Sequence, residues 1–176
     1  TDANAIDLGT VDVGGEIIVK SSGTITDSGN LTVAGLATLV SGGNAITLGD
    51  GFAADGTTAN GTTANFDSID FAGSTVTITE ASDMSIAASE ATGALSLTAS
   101  GAISQTDRID ADNTSLFVNT AGTDANIILE NTSNDFTGAV SVTASDSGTD
   151  VSITDIDAID LGAVSVGDAS TVSSTG

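Results

Sequence analysis

Ala5-Ile6-Asp7-Leu8-Gly9-Thr10-Val11-Asp12-Val13-Gly14 returns late in the chain as Ala158-Ile159-Asp160-Leu161-Gly162-Ala163-Val164-Ser165-Val166-Gly167. In both stretches apolar residues alternate with small or acidic ones, the two-residue period of a strand with one buried face. A phrase that returns in the same phase of such a pattern predicts a tandem array. Arrays serve as scaffolds and binding surfaces more than as single pockets.

Working outward, further copies emerge when the alternation is aligned. Gly15–Ser28 matches Gly93–Thr106 at an offset of 78 residues, and the match continues through Leu31 onto Ile109 and Leu39 onto Phe117. Ile46 and Leu48 fall on Ile127 and Leu129 at an offset of 81, which places a three-residue insertion in a loop. Val76 and Ile78 fall on Val151 and Ile153 at an offset of 75. The expected organisation is one repeat region over residues 1–176, with copies at roughly 5–82 and 83–157 and the start of a third at 158–176.

Leu95-Ser-Leu97-Thr, Val140-Ser-Val142-Thr, Val76-Thr-Ile78-Thr and Leu31-Thr-Val33 read as half-buried strands of branched residues inside and Ser or Thr outside. No window has a helical period, and 21 Gly punctuate the strands where corners need them. Short strands without helices can close as Ig-like sandwiches or coil as stacked rungs of ~20–25 residues. A sandwich wants a larger aromatic core, and this chain has five Phe, no Trp, no Tyr and no Pro. The expected fold is therefore all-β, a parallel β-helix (β-solenoid) built from tandem repeats, right-handed as parallel crossovers are. Ile17, Val19, Leu31, Leu39, Ile46, Leu48, Leu95, Leu97, Ile109, Phe117, Ile127 and Leu129 are the predicted core.

Charge narrows the partners. Lys20 and Arg108 face 24 carboxylates, for a net charge of −22. Such a surface repels nucleic acid and anionic membranes, and no apolar run is long enough for a transmembrane helix. The absence of Cys removes disulfide and thiol chemistry and fits an exported bacterial protein.

Asn134-Asp-Phe-Thr-Gly-Ala-Val-Ser-Val-Thr-Ala144, Val151-Ser-Ile-Thr-Asp-Ile-Asp-Ala-Ile-Asp-Leu-Gly162, Gly29-Asn-Leu-Thr-Val-Ala34 and Asn44-Ala-Ile-Thr-Leu-Gly49 resemble the repeats of large secreted bacterial proteins of the filamentous haemagglutinin type. The resemblance implies a right-handed parallel β-helix, export across the outer membrane, and a role in adhesion or surface structure. The secretion module of that family is not visible in this sequence.

Catalysis finds little support: without His or Cys the common nucleophile–base pairs are unavailable. Carboxylate pairs could serve a glycosidase, but the acidic clusters come without aromatic sugar platforms. The expectation is a non-enzyme. Calcium is the better chemical candidate, because Asp carboxylates, Asn amides and turn carbonyls are hard ligands. The candidate ligands are Asp155 with Asp157, Asp110 with Asp112 and Asn113, and Asp146 with Asp150; none completes a known calcium loop, and solvated turn residues are the plainer reading of each. Thr24-Ile-Thr26 and Thr75-Val-Thr77-Ile-Thr79 suggest an ice-binding ladder, but the 78-residue alignment places Thr24 and Thr26 on Ala102 and Ser104, so they read as ordinary β-surface threonines. Residues 50–64 read as a loop between rungs with Phe52 as a possible anchor, and Asn30, Asn60, Asn113 and Asn131 head chance glycosylation sequons.

The expected function is an extracellular or cell-surface bacterial module, an adhesin stalk or a self-assembling fibre. Its partners would be further copies stacked head to tail, or a host, cell-surface or matrix ligand. The alternative is a calcium-dependent carbohydrate- or surface-binding domain.

Overall fold

The structure is a computed structural model of the chain that describes residues 1–51, 61–121, 125–144 and 146–175. Among them are twenty strands and no helix. The first turn holds β1 (Ile6–Leu8), β2 (Val11–Val13) and β3 (Ile17–Lys20); the second, β4 (Ile25–Asp27) and β5 (Leu31–Val40); the third, β6 (Ile46–Leu48) and β7 (Ala64–Gly73). The fourth turn holds β8 (Val76–Glu80), β9 (Met84–Ile86) and β10 (Ser89–Ala91); the fifth, β11 (Leu95–Ala99), β12 (Ile103–Gln105) and β13 (Ile109–Ala111). β14 (Ser115–Asn119), β15 (Ile127–Leu129) and β16 (Asp135–Phe136) form the sixth. β17 (Val140–Ala144) and β18 (Val151–Asp155) belong to the seventh, β19 (Leu161–Val166) and β20 (Ser170–Ser174) to the eighth.

These strands stack as three parallel ladders. The first side runs β1, β4, β6, β8, β11, β14, β17, β19, through partners Ile6, Ile25, Ile46, Val76, Leu95, Ser115, Val140 and Leu161. The steps between those residues are 19, 21, 30, 19, 20, 25 and 21, so a turn takes about twenty residues unless a loop lengthens it. The second side runs from β2 through the first halves of β5 and β7 to β9, β12, β15, β18 and β20. The third runs from β3 through the second halves of β5 and β7 to β10, β13 and β16. β5 and β7 each bend across a corner without breaking, and the register between them shifts between Val33 and Leu36, where the bend falls. The chain is a parallel β-solenoid.

The interior is one side chain deep. Each strand's inward positions join a single apolar cluster that runs along the stack, with Leu97, Ile109, Phe117, Ile127 and Leu129 fully buried and Ile17 partly covered. The aromatic content is used centrally: Phe117 and Phe136 meet edge to face at 5.8 Å. The predicted core is the observed core.

The phase differs from the one the repeat suggested. Ile17 lies on the third side and its match Leu95 on the first; Ile25 lies on the first and its match Ile103 on the second; Ile46 and Ile127 differ in the same way. Likewise Val11 and Val13 lie on the second side, whereas Val164 and Val166 lie on the first, paired with Val142 and Ala144. The matched stretches are thus one side out of step. All three sides share one inward–outward alternation, so an alignment of that alternation cannot tell them apart.

The long turns all lengthen at the corner between the first and second sides, within residues 49–63, 120–126 and 145–150. The base of the first is closed by the Gly61 N–H, which donates to the Gly51 carbonyl at 3.0 Å. Phe52 and Asn60 lie outside the described residues.

Candidate functional site

Corners are where a solenoid must satisfy backbone groups that its ladders leave behind. Here buried polar side chains do so. Asn134, fully buried, receives the Ile109 N–H on Oδ1 at 2.9 Å and donates through Nδ2 to the carbonyls of Leu129 and Thr154, each at 3.1 Å. It also exchanges two amide hydrogen bonds with Gln105, at 2.8 and 2.9 Å. One side chain thereby stitches three successive turns.

Three carboxylates do similar work. Asp27 Oδ1 accepts the Gly49 N–H at 2.9 Å. Glu80 Oε1 accepts the Phe66 N–H at 2.7 Å and the Ser82 hydroxyl at 3.2 Å, while Oε2 is buried without a partner. Asp155 Oδ1 accepts the N–H groups of Phe136 at 3.1 Å and Ile156 at 3.0 Å, and its Oδ2 is likewise enclosed. Burial raises the pKa of all three, and it pushes Glu80 up to about 7 against the lowering effect of its two hydrogen bonds. None of the three has a basic partner to offset its desolvation.

The candidate calcium ligands occupy separate places. Asp155 is inside the corner after β18, and Asp157 is exposed two residues on. Asp110 is ion-paired with Arg108 on the third side, while Asp112 and Asn113 are exposed beyond β13, where Asn113 Oδ1 caps the Thr114 N–H at 2.8 Å. Asp146 and Asp150 lie at the corner between the first and second sides; the Asp146 carbonyl accepts the Thr149 N–H, and Asp150 Oδ1 accepts the Ala169 N–H at 3.3 Å. Among the described residues no group of three or more acidic side chains is placed to hold a metal ion.

The densest surface charge is on the third side, where Glu90, Asp110 and Asp135 are register partners on consecutive turns. They border a shallow hollow of about 220 Å³ that Asp70, Ser89 and Arg108 also line. Asp70 is held above the usual carboxylate range by burial, opposed by a hydrogen bond from Thr38. Sequence reading missed this ladder, because its members are 20 and 25 residues apart and only the register joins them.

Three parallel ladders, a thin continuous core and polar stitches at the corners define a β-solenoid repeat protein. The chain belongs to the family described as repeats of unknown function (DUF5649), whose model matches it twice, over residues 1–59 and 73–143. No curated protein and no solved structure matches it.

Proposed function

We propose that this chain is a non-enzymatic structural module of an extracellular bacterial β-solenoid, acting as a stalk or surface fibre that spaces or presents adhesive parts. The observation that carries the reading is the uninterrupted core, which binds every turn to its neighbours through three sets of parallel hydrogen bonds and makes a rod. The acidic exterior suits a surface that must stay soluble and resist non-specific association. The two family matches support a tandem architecture, in which length is set by the number of turns.

An antibody raised against the purified chain should label intact cells that make the protein. Labelling only after permeabilisation would remove the extracellular reading. In parallel, the purified chain should release no reducing sugar from a panel of polysaccharides, and turnover of any one of them would replace the structural reading with an enzymatic one.

A further inference from the structure

The outer face of the first side has no charged residue from the second turn to the seventh, on a molecule of net charge −22. The acidic residues of its strands there, Asp27 and Glu80, both point inward and are buried. What points outward is a lattice of hydroxyls. One column runs Thr26, Thr47, Thr77, Ser96, Leu116, Ser141 through direct register partners. A second, two residues further along each strand, runs Thr79, Thr98, Val118, Thr143. Thr24 and Thr26 do not align with Ala102 and Ser104, as the repeat offset suggested, because those residues belong to the second side. The register joins the threonines that the sequence alignment separates.

We infer that this face binds ice. Successive turns are ~4.8 Å apart and alternate residues along a strand ~6.6 Å apart, two repeats close to those of oxygen atoms along the edges of the prism plane of ice. Neighbouring side chains in each column leave one another only part-exposed, which limits their rotamer freedom and keeps the array regular. Thr supplies a hydroxyl that can join a water lattice and a methyl that orders water beside it. Leu116 and Val118 keep the apolar half of that pattern in the sixth turn and lack the hydroxyl.

Other occupants fit less well. The face is about 24 Å long and two columns wide, on the order of 300–400 Å², whereas a stable protein interface needs about 800 Å² on each partner. It offers no aromatic or Arg anchor of the kind that carries binding energy between proteins. A crystalline polysaccharide would want aromatic platforms, and the chain contains no Trp or Tyr. An ice plane is uncharged, flat and periodic, as the face is.

The test is partition of the purified chain into a slowly growing ice front, with thermal hysteresis as a second readout. The wild type is expected to enrich in ice and to depress the freezing point below the melting point. Thr98→Lys strands a charge at the contact and should cut enrichment at least about tenfold, whereas Thr32→Lys, exposed on the second side, should leave it unchanged. Leu116→Thr with Val118→Thr completes both columns and should raise hysteresis. The inference is overturned by a wild type that is excluded from ice like a bulk protein, by equal losses in the two lysine variants, or by a dimer that Thr98→Lys dissolves, which would assign the face to a second copy. Ice affinity of the purified chain does not depend on cellular location or on the stalk reading, so either can fail without the other.

Discussion

Glu80 shows how a single carboxylate can set a pH response in a fold that has almost no bases. Its pKa in the folded chain is about 7 against 4.5 for an unperturbed Glu, so the native state holds a proton that the unfolded state has released between those values. Stability is therefore full below about pH 4.5, falls as pH rises through the window, and levels off above pH 7. The shift corresponds to a loss of about 3 kcal/mol across the window. Glu80→Gln keeps an oxygen for the Phe66 N–H and removes the charge. The variant should match the wild type near pH 4.5 and melt higher at pH 8, as thermal unfolding between those limits will show. A wild type and variant with parallel profiles would mean that Glu80 is solvated. Asp27 and Asp155 are raised in the same direction, so some slope should survive in the variant. In the sequence these acids look like turn residues among two dozen others. Their burial depends on which residue of a strand faces inward at its last position, and that is fixed by the neighbouring turns.

At the scale of strands and corners, Gly49 and Gly51 make a controlled comparison. Both have positive φ, 64° and 76°, but a Cβ at Gly49 would lie 2.0 Å from the Thr79 carbonyl oxygen whereas one at Gly51 would meet nothing within 4 Å. Gly51→Ala should cost only the left-handed backbone penalty of ~1–2 kcal/mol. Gly49→Ala adds a clash with the backbone of the next turn and should cost clearly more; denaturant midpoints that fall equally would show that the corner relaxes freely. Within the ladders, Leu97 is wholly enclosed between Ile78 and Phe117, so Leu97→Asp should destabilise by more than about 4 kcal/mol or prevent folding. The strands themselves were legible: Leu95–Thr98, Val140–Thr143 and Val76–Thr79 fall inside β11, β17 and β8, because branched and small polar residues alternate there without interruption. The ten-residue β5 and β7 were not legible as single bent strands, since Gly35 and Ser68 read as punctuation while the backbone pairs through the bend. Nor was the phase between turns, because an alternation common to three sides carries no mark of which side a strand belongs to. The Thr and Ser face was dismissed for that reason: its members are 19 to 30 residues apart, and only the true register brings them into columns.

For the whole molecule the governing quantity is an uneven charge. The first side is neutral outside, so the self-repulsion of −22 is concentrated on the remaining surface, most sharply where Glu90, Asp110 and Asp135 follow one another at the ~4.8 Å spacing of neighbouring strands. Arg108 relieves Asp110. Nothing on the page supplies a similar partner for the acids above and below it, and like charges directly opposite on paired strands destabilise by roughly 0.2–1 kcal/mol each. Screening should weaken this, since the Debye length shrinks from ~30 Å at 0.01 M salt to ~3 Å at 1 M. The melting temperature is therefore expected to rise steadily with sodium chloride. The double substitution Glu90→Gln with Asp135→Asn should stabilise the protein at 0.01 M and lose that advantage at 1 M, because it removes a repulsion that salt also removes. Calcium provides the discriminating arm. If the acids act only through their summed field, millimolar calcium should raise the melting temperature no more than the double variant's behaviour allows, and the increment should shrink when Glu90 and Asp135 are neutralised. An increment retained in that variant but lost in Asp155→Asn or Asp157→Asn would place a specific cation at the corner after β18 and revive the calcium-dependent binding domain. A melting temperature unchanged by either salt would show that the exposed carboxylates are far enough apart, and solvated well enough, for their repulsion not to matter to this fold.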